Sequence, residues 1–169
     1  ETRNLVVEEC LIYTVTDASG WSATDWDTKA VNGINLGYEG FDHIARKNLL
    51  LNVNFGILAE AKGALAEKNV IINFSGDGMR ATADDVTLQY NVIKNCYAVN
   101  ANHDDGIQCY LANVGLGDVY RVTLRGNVII NNEDPDHPLA GALQGIGCFD
   151  GPFHDFVVEN NIILVDHWH

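Results

Sequence analysis

The chain has 169 residues, 47% of them apolar, and a formal net charge of −13. A surface that acidic repels nucleic acid and anionic lipid, and it repels acidic polysaccharides too unless cations intervene. No run approaches the roughly 18 consecutive apolar residues of a membrane span, so no membrane insertion is expected; no secretory leader is read at the start, and opening on Glu1 rather than Met is what a trimmed product would show.

In chain order, the first strand-like phrase is NLVVEECLIYT (4–14), followed by an insertion from Thr16 to Asn32 that carries Trp21 and Trp26. NGINLGY (32–38) comes next, then NLLLNVNF (48–55) and FGILAEA (55–61). The one helical-looking run is AEAKGALAEK (59–68), with a glycine in its middle. NVIINF (69–74), DGMRATA (77–83) and DVTLQYNVIKN (85–95) lead through a second insertion, Tyr97–Asp104, to DGIQCYL (105–111). After a loop at 112–120, RVTLRGNVIIN (121–131) and a third insertion, Asn132–Gln144, precede QGIGCFD (144–150), DFVVENNIILV (155–165) and the final VDHWH (165–169). The last offers Asp166, His167 and His169 as a metal trio, although so short a tail reads more simply as a strand edge.

These phrases are copies of one another. Gly33, Gly56, Gly78, Gly106 and Gly145 anchor five segments, 23, 22, 28 and 39 residues apart. After each glycine stands Ile34, Ile57, Met79, Ile107 or Ile146, and two places further Leu36, Ala59, Ala81, Cys109 or Cys148. Alternation at period two marks a strand with one buried face. Asn91, Asn127 and Asn161 hold one equivalent place in the preceding phrases, where Cys10 stands in the first copy. Stacked asparagines would bridge neighbouring turns through their amides. A repeat of two or three short strands, never shorter than about 22 residues, predicts a β-solenoid spanning residues 1–169, and the phrases at either end predict uncapped coils that stack on a partner, on another copy or on more of a longer chain. The four cysteines form no CxxC pair and are expected as packed free thiols, Cys109 and Cys148 as neighbours in the core.

The DVTLQYNVIKN…DDGIQ and RVTLRGNVIIN…QGIG phrases resemble the coils of the right-handed parallel β-helix, pectate-lyase-like superfamily of carbohydrate-active proteins. That resemblance implies an all-β, right-handed parallel β-helix, a polysaccharide partner and a location that is secreted, periplasmic or on a cell or virion surface. It does not select an activity, because the superfamily holds lyases, hydrolases, epimerases, tailspikes and adhesins.

Stacked coils place equivalent residues about 4.8 Å apart. The outward positions of the glycine-anchored strand then form two surface ladders, Asn35, Leu58, Arg80, Gln108, Gly147 and Gly37, Glu60, Thr82, Tyr110, Phe149. With the residues ahead of the strand they gather Asp77, Arg80, His103, Asp104 and Asp105 as candidate catalytic groups. Gln108, Tyr110, Phe149, Glu60 and Asn35 are the candidate sugar contacts, and the three insertions, with the loop Ala112–Tyr120, are expected to wall a groove. Asp77 and Asp105 taken singly also fit the ordinary turn aspartate that caps backbone N–H groups. Three chemistries stay open. A lyase or uronate C5-epimerase would use Arg80 to neutralise a uronate and His103 as base, with Ca²⁺ held by Asp77, Asp104 or Asp105. A glycoside hydrolase would pair two aspartates; NHDDG (102–106) resembles the Asn-Thr-Asp-Gly phrase of polygalacturonase-like enzymes, with Asp105 on the catalytic position and Asp104 its partner, while their Gly-His-Gly and Arg-Ile-Lys phrases are absent. A stalk or binding surface would use none of them catalytically. The mixture of histidine, arginine and carboxylates favours the first.

Overall fold

The computed structural model describes residues 2–111 and 117–167. The chain winds as a spiral with three strands per turn, and every strand pairs in parallel with its equivalent in the next coil. The first sheet stacks Val6–Glu8, Ile44–Arg46, Leu65–Glu67, Thr87–Gln89, Thr123–Arg125 and Val157–Glu159. The second stacks Leu11–Tyr13, Leu49–Val53, Val70–Phe74, Val92–Cys96, Val128–Ile130 and Ile162–Leu164. The third, which carries the glycine anchors, stacks Ile34–Leu36, Ile57–Ala59, Met79–Ala81, Asp105–Tyr110 and Gln144–Phe149.

Inward side chains fill the spiral in columns. Leu50, Ile71, Ile93 and Ile129 form one, Ile57, Met79 and Ile107 another, and all of these are fully buried. The anchoring glycines owe their place to close approach of successive coils. A Cβ on Gly78 would sit 2.6 Å from the Gly106 carbonyl oxygen, and one on Gly56 would run into the Gly78 carbonyl oxygen. The corner between the first and second sheets is a two-residue turn. Glu9, Lys47, Lys68, Tyr90 and Asn160 take left-handed φ values there, with Gly126 in the same column, and each is followed by a member of the expected amide ladder. Asn48, Asn69, Asn91 and Asn127 each donate from Nδ2 and from the backbone N to the Oδ1 of the next asparagine, ending at Asn161. From Asn48 onward Nδ2 also donates to a backbone carbonyl of the preceding coil. Cys10 joins through its backbone N, which donates to Asn48 Oδ1. The buried corner is thereby left with its polar groups paired.

Two expectations are corrected. AEAKGALAEK (59–68) is not helical: Ala59 ends one strand, Leu65–Glu67 forms the next, and Gly63 turns between them at φ +73°. Its alanines are buried side chains small enough for the tight bend. The helix lies instead in the first insertion, Ala23–Lys29, started by a capping box between Ser22 and Asp25. Cys148 is exposed rather than in the core, because its strand is the last of the third sheet among the described residues. All four cysteines are free thiols, with Cys96 and Cys109 buried and Cys10 exposed like Cys148. The end coils do show apolar side chains to solvent, Leu11 and Tyr13 at one end and Ile162 and Leu164 at the other.

Candidate functional site

The third sheet brings the sequence-separated candidates together. Arg80 lies opposite Gln108, and Gln108 opposite Gly147, in the parallel register. Asp77 stands one coil before Asp105, and the two aspartates are used differently. Asp77 is fully buried; its Oδ1 accepts from the backbone N of Asp105 at 3.1 Å, and its Oδ2 accepts from Arg80 Nε at 2.6 Å. It is a turn aspartate satisfying the next coil. In the following coil the N–H of Gln144, the partner of Asp105 in register, donates to the Asp104 carbonyl instead. The Asp105 carboxylate is thereby released from capping. Its Oδ2 accepts from Gln108 Nε2 at 3.2 Å and lies 3.3 Å from His103 Nδ1. Its Oδ1 has no hydrogen-bond partner although it is buried. Gly147 leaves room there, since a Cβ at 147 would come within 2.7 Å of that oxygen.

Burial dominates the electrostatics. It pushes the Asp105 carboxyl up to about 6, with the nearby Asp77 charge adding to the rise and His103 and Gln108 opposing it. Burial likewise raises Asp77, against the pull of Arg80, and Glu60, against its bond from the Tyr38 hydroxyl and the charge of Arg80. Asp104, pushed up to about 7 by burial, is closed off from solvent and is held by Asn102 Nδ2 and the Cys96 thiol. His103 stays half exposed, with its ring edge-on to Phe149 at 5.2 Å.

Arg80 is the positive centre of this face. Its guanidinium lies 4.0 Å over the Phe55 ring and 5.5 Å from the centre of Tyr110. Glu60 sits one coil toward the start of the spiral and Tyr38 two coils toward it, and Asn35, exposed, opposes Leu58 at the first strand of the sheet. The outward ladder is less open than period-two alternation suggests: Leu58, Glu60, Thr82 and Gln108 are all buried. Phe55, Tyr38 and Asn102 belong to this surface and were not among the candidates. Phe55 stands directly before Gly56, and an aromatic ahead of an anchoring glycine was the available signal.

The insertions pack into a wall. Trp26 stacks edge-on against Trp21 and Tyr97, and Tyr97 lies flat on His137, so all three insertions meet in one aromatic row. Asn100 Nδ2 ties the second insertion to Asp27 of the first. In the loop at 112–120, positions 112–116 lie outside the described residues, as does His169 of the terminal trio. Asp166 Oδ1 accepts from the Leu143 backbone N.

Ca²⁺ takes six to eight oxygen ligands, and Asp77, Asp104 and Asp105 are the carboxylates this face could offer it. Both oxygens of Asp77, one of Asp104 and one of Asp105 already accept hydrogen bonds, and Arg80 supplies the compensating charge. Among the described residues no three His, Cys, Asp or Glu side chains converge as a metal-holding group.

Parallel coils, three sheets and the asparagine ladder define a right-handed parallel β-helix. No protein-family model and no curated protein matches the sequence. Among solved structures, the crystal structure of the periplasmic alginate epimerase AlgG superimposes with a TM-score of 0.58 at 15% identity, over 96% of this chain and 40% of that one. A double mutant of AlgG aligns at 15% identity and a TM-score of 0.38, over 97% of this chain and 46% of that one. The likeness is one of fold, and the chain spans less than half the length of either structure. No described helix is long and apolar enough to cross a membrane.

Proposed function

We propose that this chain is the substrate-bearing part of an extracytoplasmic, carbohydrate-active β-helix protein that acts on an acidic polysaccharide by removing the proton α to a uronate carboxylate. That step is shared by polysaccharide lyases and uronate C5-epimerases. The observation that carries the reading is the sharing of one face by Arg80 and the His103–Asp105 pair, in successive coils of one sheet.

Arg80 commits Nε to Asp77, and no hydrogen bond within the described residues engages its terminal nitrogens. Those nitrogens suit a uronate carboxylate and the charge that spreads onto it when the C5 proton leaves. Asp105, ionised, accepts from Nδ1–H of a neutral His103 and so makes Nε2 the basic nitrogen. The C5 proton passes to Nε2, and the electron pair is delocalised into the carboxylate held by Arg80. Loss of the C4 oxygen, which takes up the proton held on Nε2, gives an unsaturated product and restores the imidazole; delivery of a proton from water to the opposite face of C5, with the Nε2 proton released to solvent, gives the epimer. Phe149 beside His103 and Tyr110 beside Arg80 offer ring faces to the sugar. Paired-aspartate hydrolysis is less well supported, because Asp104 is enclosed with Asn102 and Cys96 rather than opposed to Asp105 across an open space.

Incubation with uronate polymers in deuterated buffer tests this. A lyase yields ultraviolet absorbance from a C4–C5 double bond, an epimerase yields deuterium at C5, and a hydrolase yields only new reducing ends. Binding without any of these products would leave a sugar-binding surface and remove the chemistry.

A further inference from the structure

The charge distribution around Arg80 bears on which acidic polysaccharide fits, and this rests on the reading above. The strands of the third sheet contain one basic residue, Arg80. The cations nearest along the chain to this face are already paired: Lys62 with Asp84 and Asp85, and Lys29 with Asp25. His103 is the other group able to carry positive charge here, and it sits against Asp105. One coil toward the start of the spiral, the position next to the Arg80 site is occupied by Leu58 and Glu60, with the Tyr38 hydroxyl on Glu60 Oε1. One coil toward the end it is occupied by Gln108, Asp105 and Tyr110. Coils repeat about every 4.8 Å, comparable with one sugar unit of an extended glycan. A uronate seated on Arg80 therefore has neighbouring subsites that offer carboxyl, amide, hydroxyl and ring groups but, among the described residues, no lysine or arginine.

We infer that the site takes a heteropolysaccharide in which each uronate is separated from the next by an uncharged sugar, and that it discriminates against homopolyuronates. In an unbroken polyuronate, the carboxylates flanking the one on Arg80 would lie over the largely covered Glu60 carboxylate on one side and, on the other, over Gln108 with the enclosed Asp105 carboxylate behind it, on a chain of net charge −13. Neutral units instead present hydroxyls, which Glu60, Tyr38 and Gln108 are equipped to bond.

The test compares size-matched oligogalacturonates and oligomannuronates before and after chemical reduction of about half their carboxylates to neutral hydroxymethyl groups. Backbone and linkage are unchanged, and binding is followed by calorimetry alongside turnover. Half-reduced oligomers are expected to bind about tenfold more tightly at low ionic strength, the effect of one relieved like-charge contact. Raising salt is expected to strengthen binding of the unreduced oligomers as repulsion is screened. Glu60→Gln is expected to narrow the gap between the two forms; should that variant not fold, the salt dependence of the unaltered protein decides. Unreduced oligomers that bind as tightly as half-reduced ones, or that weaken on adding salt, would overturn the inference while leaving the proposed chemistry standing. Failure of every form to bind or react would sink both.

Discussion

The carboxylate of Asp105, itself without solvent access, lies 3.3 Å from Nδ1 of the half-exposed His103. A buried acceptor behind a surface imidazole fixes which ring nitrogen faces outward, and the chemistry proposed here depends on that orientation.

Asp105→Asn keeps the shape and removes the charge. Turnover is expected to fall by up to roughly 10²–10⁴-fold, the usual worth of the general base whose tautomer and orientation Asp105 sets, with little change in circular dichroism. Full turnover in the variant would remove Asp105 from the mechanism. Because burial holds this carboxyl at about 6, the rate of the unaltered protein should also drop as pH falls through that value, and the acid limb of the pH–rate profile reads it.

Arg80→Lys retains charge but not the planar fork, and it loses contact with the Phe55 ring. A rise in KM of at least tenfold is expected on uronate substrates, with binding of neutral oligosaccharides unaltered. Equal weakening for neutral and acidic sugars would mean that Arg80 serves only to hold Asp77.

Asp104 and Asp105 both titrate higher in the folded chain than the roughly 3.9 of an unfolded aspartate. Between those values the folded state binds more protons than the unfolded state, so stability from this source is full below about pH 4 and declines as pH rises through 6 to 7. The unfolding midpoint should therefore fall between pH 5 and pH 8. Asp104→Asn, which keeps a side chain beside Asn102, should raise the midpoint at pH 8 by several degrees and flatten the slope. A midpoint that climbs over this range in both proteins would contradict the assignment.

Asn91→Ala strips the ladder at its middle. It leaves Asn69 N and Nδ2 without their acceptor and the Ala66 carbonyl without its donor, all in a buried corner. A loss of about 2–4 kcal/mol is expected, visible as a shift in urea midpoint. Asn161→Ala, in the last described coil, should cost clearly less. Equal effects would mean that the ladder does not act through burial.

Chelation is expected to leave turnover unchanged, because the proposed chemistry assigns neutralisation of the uronate carboxylate to Arg80. Activity lost with EDTA and restored by Ca²⁺ would show that the carboxylates rearrange around an ion.

Much of the spiral was legible because its constraints are local and repeated. A glycine where a Cβ would strike the next coil, an isoleucine after it and an asparagine at the corner each leave a mark in every turn. The alignment of Arg80 with Gln108 follows from those marks alone. What covers the outward side was not legible: period-two alternation separates inside from outside of a sheet, yet cannot show that Leu58 and Gln108 lie beneath other side chains. Asp104 and Asp105 read as a matched pair, and only the path of the second insertion decides that one is enclosed with Cys96 while the other meets His103. The run at 59–68 misleads through composition, since alanine suits a helix and a cramped bend equally well.

The contrast between Asp77 and Asp105 suggests how such a scaffold acquires chemistry. The same turn residue occurs in consecutive windings, and one copy keeps the polypeptide in order while its duplicate, spared that duty by a main-chain carbonyl, is available to be spent on reactivity. Redundancy between windings lets a solenoid experiment at one level of the stack without loosening the level beneath.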